Sequence, residues 1–289
     1  MDISFFAKPP FLNVSPNVPY VFDGKPIKRG HLLRVSSLIR GNQMAEYLGG
    51  KLNPTEGYEN DVCIYVKPHV PRGMDFKFEG RKPYLDIVDA WGLVPLMQKH
   101  PEVPIISISQ FDTENLRLTL PNEVVFIPQR HINPDRVRRY DHAMKNVGTT
   151  GVERSFAFFS DDILKGLTDR GLNMSTFSHF ESQDNLIEFH RNLFVQVVWR
   201  PYRRKMGNCL KLVNAASFGV PTIALEEKCF KEMEGYYVPV HNIDELFTEL
   251  DKFIKDPMYY HEFSNKIYAK AEEYHISNIA ELYKNLCTT

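Results

Sequence analysis

Residues 200–211, "RPYRRKMGNCLK", place five cations (Arg200, Arg203, Arg204, Lys205 and Lys211) in a chain whose 35 lysines and arginines balance 36 acidic residues. On a near-neutral protein such a run makes a local anion site rather than a general affinity for polyanions. The residues that follow read as a helix over 208–218. Asn208 can cap it through its side chain, Gly219 ends it, and Pro221 prevents its continuation. The unpaired N–H groups of its first turn, together with its dipole, favour an anion. Lys211 lies in that turn, and Arg200 and Lys205 lie in the loop ahead of it, so a phosphate there meets both donors and charge. A capped surface helix behind a solvated basic loop has the same residues, and the pattern alone leaves both readings open.

The elements that must position these residues alternate along the chain. "DVCIYVKP", "PYLDIVDAW", "VPIISISQ" and "EVVFIPQR" are short apolar strand candidates in the first half; "HLLRVSSLI" reads as another, followed by a helix over "RGNQMAEYLGG" that Asn42 caps and Gly49-Gly50 ends. "NVGTTG", "NMSTFSHF", "LFVQVVWRP" and "VPTIALE" are strand candidates in the second half. "NIDELFTELDKFIKDP" is an amphipathic helix, and the chain closes in one or two more helices. Short apolar strands alternating with helices indicate βα units around parallel sheets. The fold expected is α/β, with two Rossmann-like domains facing each other across a cleft. The polar crossing "RHINPDRVRR" divides residues 1–130 from 131–289, and residues 1–30, rich in proline and aromatics, read as an irregular arm. Ligands of such sheets sit beyond the carboxyl ends of the strands.

Composition narrows the class. With 289 residues, 43% apolar and 25% charged, the chain can bury a sizeable core. Net charge of −1 gives no pull toward nucleic acid. The four cysteines match no zinc spacing and suggest a reducing compartment. The start, "MDISFFAKPPFLNVSP", has neither a basic flank nor a long apolar stretch, and no run of about 18 apolar residues occurs. A cytoplasmic protein is expected, and peripheral contact with a membrane surface is compatible with it. No G-x-G-x-x-G follows a first strand, which argues against a dinucleotide enzyme.

The stretch "KLVNAASFGVPTIALEE" resembles the donor-binding segment of GT-B-fold glycosyltransferases, in which a helix ends in Gly-x-Pro before an apolar strand. "VFIPQRHINP" is similar to the crossing between their two domains, "VGTTG" to the first strand and turn of the donor domain, and "FVQVVWRP" to the strand before the donor helix. The last segment, from "ELDKFIKDP" onward, resembles the paired terminal helices, the last of which crosses back to the N-terminal domain. The resemblance covers most of residues 31–289 and is tighter in the second half. It implies a shortened N-terminal acceptor domain and a C-terminal domain for the nucleotide-sugar donor. One departure stands out. Many retaining members carry Glu-x7-Glu where this chain has Met206 and Asn214.

The resemblance implies transfer of a sugar from a nucleoside-diphosphate sugar to a glycan, a lipid-linked molecule or a small acceptor. It also implies no metal, which agrees with the lack of a DxD motif at a strand end, and no cofactor besides the donor as co-substrate. Arg200, Lys205 and Lys211 would take the phosphates, and Thr150 and Gly151 would form a turn that lets the donor approach the backbone. Asn214 and Ser217 would reach donor hydroxyls, and Glu226 or Glu227 would hold the ribose or sugar. A general base would come from the N-terminal domain, with Asp89, His69 and Asp112 as candidates at strand ends and Asp86 as a structural carboxylate. Two other readings share these residues: a sugar-nucleotide epimerase, and a non-catalytic GT-B-like partner that binds glycan or nucleotide.

Overall fold

The computed structural model describes residues 2–7, 21–22, 25–26, 36–71, 73–141, 144–178, 182–201 and 206–288. Lys205 and its neighbours Arg203 and Arg204, expected at the phosphate, lie outside the described residues, as does most of the expected arm.

The chain forms two compact units. The first contains residues 1–130, 204–208 and 276–289; the second contains 131–203 and 209–275. The chain therefore enters the first unit three times.

The first unit is built on a six-stranded parallel sheet. Its strands are β1 (Ile3–Ala7), β2 (Lys51–Leu52), β3 (Val62–Val66), β4 (Lys82–Asp86), β5 (Ile105–Ser107) and β6 (Val124–Phe126), in the order β2-β1-β3-β4-β5-β6. All five residues of β3 are buried, as a strand covered on both faces requires. Their alternation separates two cores. Val62, Ile64 and Val66 join α1 (Gln43–Leu48) and α9 (Ile276–Thr288), whereas Cys63 and Tyr65 join α2 (Val94–Met97) and α3 (Gln110–Thr119). The C-terminal helix thus closes the core of the first unit, through Ile276, Ile279, Tyr283 and Leu286.

Two expectations are corrected here. Residues 3–7 are not part of an irregular arm; "ISFFA" is strand β1, paired to β2 on one side and β3 on the other. Residues 37–42 of the expected strand and helix start form a π-helical turn that runs into α1, and Asn42 makes no side-chain cap. A short apolar run fits a buried helix as well as a strand, and the close approach of Gly41 to Ala7, where a Cβ would lie 2.6 Å from the alanine Cβ, selects the turn. Gly49 does end the helix, at φ 66°.

The second unit holds a five-stranded parallel sheet of β7 (Asn146–Thr150), β8 (Asn173–Phe177), β9 (Val195–Val198), β10 (Thr222–Leu225) and β11 (Val238–Val240), ordered β8-β7-β9-β10-β11. The helices are α4 (Asp161–Thr168), α5 (Gln183–Arg191), α6 (Leu210–Ala216), α7 (Ile243–Lys255) and α8 (Pro257–Ala271). One core joins β7, β9 and β10 to α4, α7 and α8; a second joins α5 and α6 to Ile132 and Val220. The expected helix over 208–218 is shorter. It starts after Cys209, which gives it no side-chain cap, and Gly219 follows at φ 72°.

Candidate donor site

In the second sheet the chain goes from β7 to β8 on one side, then returns to β9 on the other. The reversal leaves a gap between the carboxyl ends of β7 and β9, the usual place for a ligand in an open parallel sheet. Thr150 is the last residue of β7, Gly151 the next, and α6 follows β9. Lys211, in the first turn of α6, donates its ammonium to the carbonyl of Thr150 and so spans this gap. A Cβ on Gly151 would lie 3.1 Å from the Lys211 Nζ, so the bare backbone there gives the ammonium its room. The Gly151 N–H is taken by the Phe177 carbonyl at 3.0 Å.

The next two strand ends carry an ion pair. Arg200, two residues past β9, meets Glu227, two residues past β10, in a bidentate contact with Nη2 at 2.6 and 2.8 Å and Nε at 2.9 Å. Their side chains are 8% and 10% exposed, so the pair is largely shielded from solvent. Glu226 points elsewhere: it is exposed and 3.5 Å from His241 Nε2. His241 also contacts Glu245 at 3.0 Å. The Glu245 contact and then Glu226 raise the imidazole pKa above its ordinary value.

Asn214 and Ser217 face the other way. Both are buried. Asn214 Oδ1 accepts from the Ile132 N–H at 3.2 Å, and Ser217 Oγ donates to the Asn214 carbonyl at 2.7 Å. Asn133 Nδ2 donates to the Ser217 carbonyl at 2.7 Å. These contacts bind α6 to the segment after residue 130. The structure therefore brings Thr150, Gly151, Lys211, Arg200 and Glu227 to one sheet edge and commits Asn214 and Ser217 to packing. Met206, at the other departure position, is buried in the first unit's core.

The first unit has its own carboxyl edge. Asp89, three residues past β4, pairs with Lys67, the residue after β3. His69 is exposed two residues further on. Lys67 and Val88 are both left-handed, at φ 43° and 54°. For a β-branched residue such as Val88 that conformation is a true outlier, and such strain gathers at functional positions. Beneath this edge Asp86 is fully buried and held by Arg40 Nε at 2.5 Å and Tyr283 Oη at 3.2 Å. Asp112 is also buried; its carboxylate accepts from the Gly207 N–H at 3.2 Å. Sequence reasoning missed Lys67 as the partner of Asp89, although a cation directly after the apolar "VCIYV" marks a strand's carboxyl end.

No family model matches the chain, and no curated relative matches it. Solved structures do. A point mutant of S. aureus TarM, determined with Fondaparinux, alpha-GlcNAc-glycerol and UDP, aligns over 81% of this chain with a TM-score of 0.52 and 14% identity. That alignment spans only 52% of TarM, about half its length. The Anabaena protein HepE, in complex with UDP and glucose, aligns over 79% of this chain and 72% of its own, with a TM-score of 0.53 and 10% identity. WaaG, a glycosyltransferase involved in lipopolysaccharide biosynthesis, aligns over 98% of this chain and 99% of its own, with a TM-score of 0.56 and 9% identity. The fold is that of the GT-B glycosyltransferases. At these identities the likeness is one of fold, and GT-B folds carry more than one function.

Proposed function

We propose that the chain transfers a sugar from a nucleoside-diphosphate sugar to a hydroxyl of a glycan, lipid-linked or small acceptor. The observation that carries this is the Lys211 ammonium seated over the Thr150 carbonyl at the β7/β9 reversal, in the room left by the missing Cβ of Gly151. The ammonium has three donors, so it can exchange a neutral carbonyl for a phosphate oxygen. As the glycosidic bond breaks, negative charge grows on the departing diphosphate, and a cation already fixed in place stabilises it. In this reading Lys211, with Arg200 released from Glu227, supplies that charge without a metal, and Glu227 becomes available to a ribose or sugar hydroxyl. Asp89 is the proposed acceptor-side base and His69 the second candidate. The UDP complexes of TarM and HepE support a uridine donor.

The test is thermal denaturation with UDP, GDP, ADP, CMP and dTDP, with and without EDTA. A ligand at 100 times its Kd stabilises by about 2.7 kcal/mol, so a clear shift is expected with one of them, insensitive to EDTA and largely lost in Lys211→Ala. No shift with any of the five sinks the reading. A second reading, a non-catalytic binding partner, is favoured by Asn214 and Ser217 being bonded into the protein rather than presented to a donor. Nucleotide binding without donor consumption across an acceptor panel decides for it.

A further inference from the structure

On the amino-terminal edge of the first sheet, opposite the end that carries Lys67 and Asp89, lies a groove of about 570 Å³. It is built by the segment before β4 and the loop before β5. Phe76 and Phe78 are two apart in the loop before β4, and their rings pack together. The rings meet edge to face at 4.9 Å, and each also meets Tyr65 at 5.4 Å. Both stay half-buried, packed to the core on one side and open to the groove on the other. His100 stands 5.2 Å from the Phe78 ring, with Nε2 2.7 Å from Asp75 and Nδ1 3.4 Å from Glu102. Asp75 is further fixed by the Phe76 N–H at 2.9 Å, and His100 followed by that amide hold its carboxyl below the ordinary range. Glu102 and Asp75 remain 68% exposed.

We infer that this groove binds a neutral saccharide, at a site separate from the candidate donor site. A sugar ring has an apolar C–H face and a rim of hydroxyls. A phenyl ring takes the face, and the two exposed carboxylates, held in place by the imidazole between them, accept from adjacent hydroxyls. The volume falls in the range of small-molecule sites. Carboxylates at the rim turn away phosphates and other anions. Lys77, which lines the groove, is paired with Glu79, so the groove lacks the excess positive charge that a nucleotide would need. The inference does not depend on the donor reading, since the groove lies wholly within the first unit.

Saturation-transfer NMR on the full chain with maltose, cellobiose and N,N′-diacetylchitobiose tests it. At least one should show transfer to the C–H protons of one ring face. Glu102→Gln, at an exposed position, should leave Tm unchanged, and Glu102→Gln and Asp75→Asn should each weaken binding about tenfold or more, the value of one lost hydrogen bond to a charged group. Phe78→Ala should abolish transfer. Lys211→Ala, which disables the proposed donor site, should leave the signals intact. Absence of transfer from all three sugars overturns the inference. So does transfer that survives all three groove variants, transfer lost in Lys211→Ala instead, or binding of tetramethylammonium in place of the sugars, which would mark the groove as a cation cage.

Discussion

At the scale of single residues, buried polar groups decide how this protein responds to its surroundings. His190 is fully buried at the end of α5; its Nδ1 donates to the Leu186 carbonyl at 2.8 Å and its ring stacks on Phe218 at 5.4 Å. Burial pulls its pKa from 6.5 down to about 4. Between those values the unfolded chain binds more protons than the folded one. Stability is therefore full above about pH 6.5 and falls as acid brings the pH toward 4, by up to roughly 3 kcal/mol from this group. Urea denaturation at pH 7.5 and at pH 5 should show a steeper loss in the wild type than in His190→Gln. Equal slopes would mean the imidazole does not carry the effect. The Arg200–Glu227 pair is a different case. Sequence reasoning placed both residues near the ligand but gave them separate tasks, because the contact between two residues 27 positions apart, in the loops after neighbouring strands, is set by strand order, not by local spacing.

At the scale of elements, close approach sets what the strands and helices tolerate. In "NVGTTG" the sequence draws attention to Gly151, the turn glycine, yet Gly148 within β7 is more constrained. A Cβ there would lie 2.4 Å from Leu193 Cδ2 and 3.0 Å from the Phe189 ring. Leu193 is 1% exposed and has no free space to move into. Gly148→Ala should therefore destabilise by about 1–3 kcal/mol, even though alanine restricts the unfolded chain more than glycine does. Chemical denaturation measures this directly, and a neutral or stabilising result would show that α5 can shift on the sheet. The same packing logic explains the missed start of the fold. "ISFFA" has the length and apolar character of a central strand, but the proline-rich residues after it dominated the local reading. The helix α7 was legible throughout, because Leu246, Leu250 and Phe253 repeat at helical spacing and all three are buried.

At the scale of the whole molecule, the chain's path couples its end to its beginning. Helix α9 places Ile276, Ile279, Ala280, Tyr283 and Leu286 in the core around β1 and β3, and Tyr283 completes the partners of buried Asp86. A chain ending at His275 would open that core and leave the Arg40–Asp86 pair with one partner fewer. Losing a partner from a buried charge cluster costs several kcal/mol, and the exposed apolar core adds to it. Hydrogen exchange should show amides of 3–7 and 62–66 losing protection in the truncated chain, while those of 195–198 and 222–225 keep theirs. Retained protection in β1 and β3 would make α9 dispensable.

The residues alone determined the class of fold and the chemistry on offer. Period-two and continuous apolar runs specify parallel strands and helical spacing specifies α7, because these are local properties of backbone sterics and side-chain type, whereas the cations of 200–211 ahead of Gly-x-Pro fit both an anion site and a solvated basic loop. Which groups meet was decided only in three dimensions. Lys211 finds the Thr150 carbonyl, Arg200 finds Glu227, and Asn214 turns inward to Ile132, since strand order and helix packing bring together positions that no spacing along the chain relates.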